Sequence, residues 1–159
     1  MEFDLARWLP LEAVLALPFG EGWLALAMLA LTASLYAAGV PGALLPLSFS
    51  SGALLGWAPG TATVGAGAMI GSLVLYRLLE RGSQAALRER FASRLARLET
   101  LAQHGGVLPI IGLRLAGMPH LAVTALCALG AGRARRYALA TALGILPAIA
   151  LSATAGAAL

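Results

Sequence analysis

No charged residue occurs between Gly22 and Tyr76. A helix crossing a bilayer needs about 20 residues, so this run holds two crossings and a remainder too short for a third. GWLALAMLALTASLYAAG (22–39) reads as a first span. TATVGAGAMIGSLVLYRLL (61–79) reads as a second, where Gly65, Gly67 and Gly71 offer a face for close helix packing. Between them, VPGALLPLSFSSGALLGWAP (40–59) contains Pro41, Pro46, Pro59 and a Ser-Phe-Ser-Ser-Gly break at 48–52. Two short apolar arms around a polar tip predict a re-entrant helical hairpin. Broken backbone is tolerated at membrane depth only where protein or a water-filled cavity covers it.

The pattern changes at Arg77. Arg77, Arg81, Arg88, Arg90, Arg94 and Arg97 stand against Glu80 and Glu89, and Leu87, Phe91, Leu95 and Leu98 recur at helical spacing. The linker 80–103 is therefore expected to be a basic amphipathic helix on the cytoplasmic membrane surface. The apolar stretch 104–132 follows, interrupted by Pro109, Gly112, Arg114, Gly117 and Pro119, and then Arg133, Arg135 and Arg136. Basic groups flank it on both sides, so a segment that enters and returns keeps both on one side of the membrane. It is the second predicted re-entrant hairpin. Residues 137–159 carry no charge and form a last span around Pro147.

These elements give one all-α integral membrane domain over 1–159, with about three spanning helices and two re-entrant hairpins. An interfacial segment (1–21) precedes a first half (22–79), the linker (80–103) and a second half (104–159). The halves echo each other: ALLG (53–56) precedes AMIG (68–71) as CALG (127–130) precedes TALG (141–144). Hairpins entering from opposite faces would make them inverted repeats, as in many transporters.

Composition agrees. Of 159 residues, 60% are hydrophobic and 11% charged, and mean hydropathy is +0.85. That excludes an ordinary soluble domain, a disordered chain and a nucleic-acid-binding domain. The net charge is +4, and all 11 basic residues are Arg, placed beside apolar runs as the positive-inside rule requires. Glu2 and Asp4 stand where a signal peptide has basic residues. Cys127 is the single cysteine. With two histidines and no intramembrane acid there is no basis for a metal site.

Arg114 is the most informative residue. A charge within an apolar segment is costly unless paired or hydrated, and its fork suits a phosphate head group. The bland alternative is that it binds helix-end carbonyls and pins the hairpin. His120 is the one candidate for an intramembrane proton switch, against a neutral histidine bonded to backbone. Ser48, Ser50 and Ser51 either satisfy broken backbone or hydrate a substrate path. Pro41, Pro46, Gly117 and Pro119 shape the hairpins, and Arg133, Arg135 and Arg136 set topology and meet lipid head groups.

The stretch from Pro41 to Gly156 resembles the DedA/VTT family of membrane proteins, also called SNARE-associated Golgi protein-like. The resemblance rests on PGALLPLSFSSGALLG, a Gly-rich span ending in YRLLERG, RLAGMPH, and ALGAGRARRYALATALGILPAIALSATAG. It implies two re-entrant hairpins facing each other among spanning helices. It also implies lipid translocation: flipping of a polyprenyl-phosphate carrier in bacterial members, phospholipid scrambling in eukaryotic relatives, with coupling to the proton gradient. Bacterial members resemble R-x-x-P-x-x-R in the second hairpin. Here Arg114 matches the first Arg, while Gly117 stands at the Pro position and His120 at the second Arg. Pro119 matches a proline of the Golgi-type branch with a one-residue offset. The carboxylate usual in the first hairpin of transporter-like members is absent from 40–59, where Ala43 and the three serines stand.

The expectation is a flippase or scramblase for an anionic phospholipid or polyprenyl-phosphate carrier. It would sit in a bacterial inner (plasma) membrane with its Arg-rich loops cytoplasmic. Its partners would be membrane lipids with anionic head groups and, secondarily, another copy of the chain. No enzymatic activity, cofactor, metal or nucleic acid is expected. The alternatives are a non-transporting membrane scaffold and a small-solute or ion transporter.

Overall fold

The computed structural model describes residues 20–81, 107–115, 118–129 and 134–159. The expected interfacial segment (1–21), apart from its last two residues, and nearly all of the linker 80–103 lie outside these residues, as do Gly117 and Arg133. Among these residues six helices follow one another: α1 (Gly20–Ala37), α2 (Leu44–Leu55), α3 (Trp57–Arg81), α4 (Leu108–Leu115), α5 (His120–Leu129) and α6 (Ala134–Ala157). Three of them, α1, α3 and α6, are long and apolar enough to cross a membrane. The chain is an all-α integral membrane protein.

Packing fixes the directions. Gly67 of α3 lies against Leu29 and Thr32 of α1, and Gly71 lies against Ala33 and Tyr36. Both series rise together, so α1 and α3 are parallel. Continuing that register brings Trp57 level with Trp23, and both indoles are exposed. In contrast, Tyr137 of α6 stacks on Tyr76 with ring centroids 4.9 Å apart, while Leu146 faces Gly65. The α6 helix therefore runs antiparallel to α3, and Arg135 and Arg136 lie at the same end of the bundle as Arg77 and Arg81. From Trp57 to Arg77 the α3 axis rises about 30 Å, the thickness of a bilayer's hydrocarbon core. One end of the bundle is thus marked by tryptophan and the other by arginine.

The first hairpin differs from its sequence-based outline. The expected tip at 48–52 is continuous helix, inside α2. Ser48 Oγ donates to the Leu44 carbonyl (2.7 Å) and Ser51 Oγ to the Gly60 carbonyl (3.2 Å). These hydroxyls fold back onto backbone rather than break it. The turn falls earlier, at 38–43. There Val40 N–H donates to Leu35 and Gly39 N–H to Tyr36, with Gly39 at φ 71°. This is the Schellman closure, which needs a left-handed residue after the helix. Gly42 follows at φ 77°. Pro41 lies between them, and Pro46 sits in the first turn of α2, where no intrahelical N–H donor is needed. The predicted hairpin 40–59 thus comprises part of this turn, α2 and the start of α3.

Leu44, at the start of α2, packs on Tyr36, Val64, Ala68, Ile145 and Ile149 in the middle of the bundle. From there α2 returns to the tryptophan end. A Cβ on Gly52 would strike the Ala153 carbonyl, and one on Gly156 the Phe49 carbonyl. Such backbone-to-backbone approach is what small residues allow inside membranes.

The second hairpin enters from the arginine end. Its arms α4 and α5 have eight and ten residues, or about 12 and 15 Å, well short of a crossing. Ile110, Val123, Cys127 and Ala128 pack with Tyr76, Tyr137 and Ala140. Pro119 opens α5 by accepting from the Ala122 and Val123 N–H groups. The two turns meet in the interior: the Tyr36 and His120 rings lie 4.6 Å apart, and Gly39 faces Leu121. Each half is therefore two helices around an interior turn, followed by a long helix, and the halves enter from opposite ends. The echoing glycines hold like positions. Gly71 of α3 receives the first arm of its hairpin, α1, and Gly144 of α6 receives α4 through Arg114.

Candidate functional site

Where the two turns meet, Arg114 projects from the last turn of α4. Its aliphatic stem passes over Gly144, where an added Cβ would stand 2.9 Å from Arg114 Cδ. Its Nη1 lies 3.2 Å from His120 Nδ1, and its Nη2 donates to Thr141 Oγ1 (2.9 Å) and Tyr137 Oη (3.4 Å). The guanidinium carbon is also 5.7 Å from the centre of the Tyr137 ring. Tyr137 and Thr141 are one helical turn apart, with Gly144 three residues further, so one face of α6 supplies both acceptors and the stem's groove.

The donors and acceptors have one consistent order. Guanidinium only donates, so His120 Nδ1 accepts and the ring proton sits on Nε2. Thr124 Oγ1 gives its hydrogen to the His120 carbonyl (2.8 Å), so it accepts from Tyr137 Oη at 2.8 Å. Tyr137 in turn accepts from Arg114. The result is a closed ring of polar contacts from Arg114 through Tyr137 and Thr124 to the first residue of α5, and back through the imidazole. The Ser72 carbonyl lies 3.5 Å from Tyr137 Oη, at the outer limit of a hydrogen bond.

The ring leaves a surplus of donors. Among the described residues, the buried side-chain polar atoms without a partner are Ser72 Oγ, Arg114 Nε and His120 Nε2. All three belong to residues around Tyr137. A buried donor left unpaired costs about 1–3 kcal/mol, and more for a charged group. The carboxylates among the described residues are Glu21, near the tryptophan end, and Glu80, which pairs with Arg77 at 3.4 Å. Neither is bonded to Arg114. The site is thus a half-buried cation with two N–H donors unclaimed and, among the described residues, no carboxylate bonded to it.

The structure unites two of the sequence-predicted residues, Arg114 and His120, and sets the three serines and Arg135 and Arg136 apart from them. Ser48 and Ser51 are buried in α2 with their hydroxyls given to backbone, and Ser50 is exposed. Pro41 and Pro119 lie at the two turns. Arg135 and Arg136 are exposed on the first turn of α6. Tyr36, Ser72, Thr124, Tyr137 and Thr141 complete the site and were not singled out from sequence. The one available signal was the Tyr137, Thr141, Gly144 spacing, which puts a ring, a hydroxyl and a gap on one helix face.

No curated protein and no solved structure gives a significant match to the chain. The model of the VTT domain matches residues 40–158, from the turn after α1 to the end of α6. That interval contains Arg114 and most of the residues around it, and the chain belongs to the VTT-domain family of DedA-type membrane proteins.

Proposed function

We propose that this protein moves lipid across the bilayer, and that the ring around Arg114 holds the phosphate of an anionic phospholipid or polyprenyl-phosphate carrier during the crossing. The observation that carries the reading is the pair of unclaimed donors, Arg114 Nε–H and His120 Nε2–H, at a half-buried cation with no acid partner among the described residues. A phosphate oxygen accepts from both and supplies the compensating charge. In this reading the two turns are re-entrant tips within the membrane. They keep irregular backbone and polar groups covered by protein, as the bilayer demands. The hydrocarbon tail remains in lipid while the head group passes between the tips.

The tryptophan and arginine ends supply an orientation. Exposed Trp23 and Trp57 suit one lipid–water interface, and Arg77, Arg81, Arg135 and Arg136 suit the cytoplasmic side of a bacterial inner membrane. The chain acts as a carrier and not as an enzyme. The first hairpin offers no carboxylate for proton coupling, so His120 is the group that would link transport to pH.

The test is flipping of fluorescent anionic and zwitterionic lipids in proteoliposomes, with wild type beside Arg114→Ala. Loss of transport in a variant that stays folded by circular dichroism and size-exclusion chromatography is the expected result. Unchanged transport would remove Arg114 from the mechanism. A folded wild type that moves none of the lipids would overturn the lipid reading itself.

A further inference from the structure

A second lipid-facing feature lies away from the interior ring. Along the last turns of α3 a groove of about 340 Å³ is lined by Leu73, Val74, Arg77, Leu78 and Arg81. Its residues recur at three- and four-residue spacing on one helix face. Val74 and Leu78 are exposed at 44% and 60%. We infer that this groove is a binding site for an intact anionic phospholipid, with an acyl chain along Leu73, Val74 and Leu78 and the phosphate held by Arg77 and Arg81.

The order of residues along the helix selects this occupant. Leu73 and Val74 lie deeper in the bundle, and Arg77, Leu78 and Arg81 lie toward its arginine end, so apolar lining gives way to charge as tail gives way to head in a lipid. A soluble anion would satisfy the arginines and leave the leucines and valine without a partner. A neutral lipid would do the reverse. Arg77 contacts Glu80 at 3.4 Å, but both side chains are well exposed, at 59% and 41%, and such a pair holds weakly. Arg81 makes no ion pair among the described residues. Arg77 therefore turns to a phosphate at little cost, and Arg81 offers a whole guanidinium fork. Among the described residues the lining comes from one helix, and binding there does not depend on transport through the interior.

Native mass spectrometry of the full-length protein in detergent tests the assignment, with phosphatidylglycerol and phosphatidylcholine titrated separately. Wild type is expected to retain phosphatidylglycerol preferentially. The double variant Arg77→Gln/Arg81→Gln should lose that preference by on the order of tenfold or more. Val74→Trp, which fills the groove, should weaken both lipids. These side chains are exposed, so the folded state is expected to survive. Equal retention of the two lipids by wild type would overturn the inference. So would a preference that survives the double variant, or one that free glycerol phosphate competes away at equal concentration. A preference lost in Arg114→Ala but kept in the double variant would assign the bound lipid to the interior ring instead. Because the readout is binding, failure here leaves the transport reading standing, and failure of transport leaves the groove intact.

Discussion

The two halves of the molecule share one plan and use it differently. In the first, α1 and α2 fold back around Gly39 and Gly42, and every buried hydroxyl of α2 is bonded to backbone. That half is locked to α6 through glycines, with Gly52 on Ala153 and Gly156 on Phe49. In the second, α4 and α5 meet α6 through a cation, a ring and hydroxyls, and unclaimed donors remain. Inverted copies of one topology thus divide the work. One half supplies rigid contact at backbone distance, and the other supplies polar chemistry at side-chain distance.

The largest effect that separates them is expected from Arg114→Lys. A lysine keeps the charge but is a point donor that cannot reach His120, Tyr137 and Thr141 together. Transport should fall roughly 10- to 100-fold, since each bond to a charged group is worth about 1.5–3 kcal/mol. Near-wild-type flipping by the lysine variant would show that charge alone suffices and that the ring is incidental.

Two glycine substitutions sharpen the contrast. Gly52→Ala forces a methyl into the Ala153 carbonyl, which has no flexible end to yield. Thermal unfolding in detergent should show a loss of roughly 1–3 kcal/mol. Gly144→Ala meets the Arg114 stem, which moves aside. Stability should then change little while transport drops on the order of tenfold, through a displaced guanidinium. If both variants lose only stability, the halves do not differ as described.

Tyr137→Phe keeps the stack on Tyr76 and removes the hydroxyl between Arg114 and Thr124. The expected loss is about 1 kcal/mol, read as a several-fold slower flipping rate. Ser50→Ala should be the mildest change, within about 0.5 kcal/mol and without effect on flipping, because Ser50 is exposed and bonds to nothing at the site. A transport defect there would return the first hairpin to the substrate path.

The outline of the fold was legible because hydropathy reports length directly. The three long helices lie close to the spans read from charge-free runs, and Arg114 with the basic residues around its segment indicated a hairpin that returns. The tip of the first hairpin was not legible. Ser-Phe-Ser-Ser-Gly looks like a break by composition, yet serine within a membrane helix bonds to the carbonyl one turn back and lets the helix continue. The true turn carries Val40-Pro41-Gly42, a weaker signal beside an apolar span. Thr124 and Tyr36 were invisible for another reason. Their roles arise from meetings between α1, α5 and α6 that no local spacing encodes, whereas the cost of a charge in hydrocarbon singles out Arg114 without knowledge of its partners.

The brevity of α4 and α5 has a consequence for biosynthesis. Helices of eight and ten residues do not meet the length at which a segment enters the bilayer as a span, so they have no stable place until something receives them. The receiver of α4 is α6, which brings Tyr137 and Thr141 to Arg114 and Gly144 to its stem, whereas α5 leans mainly on α3. The α6 helix is translated after both short helices. The arginine therefore gains Tyr137, Thr141 and Gly144 only once the helix behind it is made. Assembly of α4 thus runs backward along the chain, since the helix that holds it is the last one made.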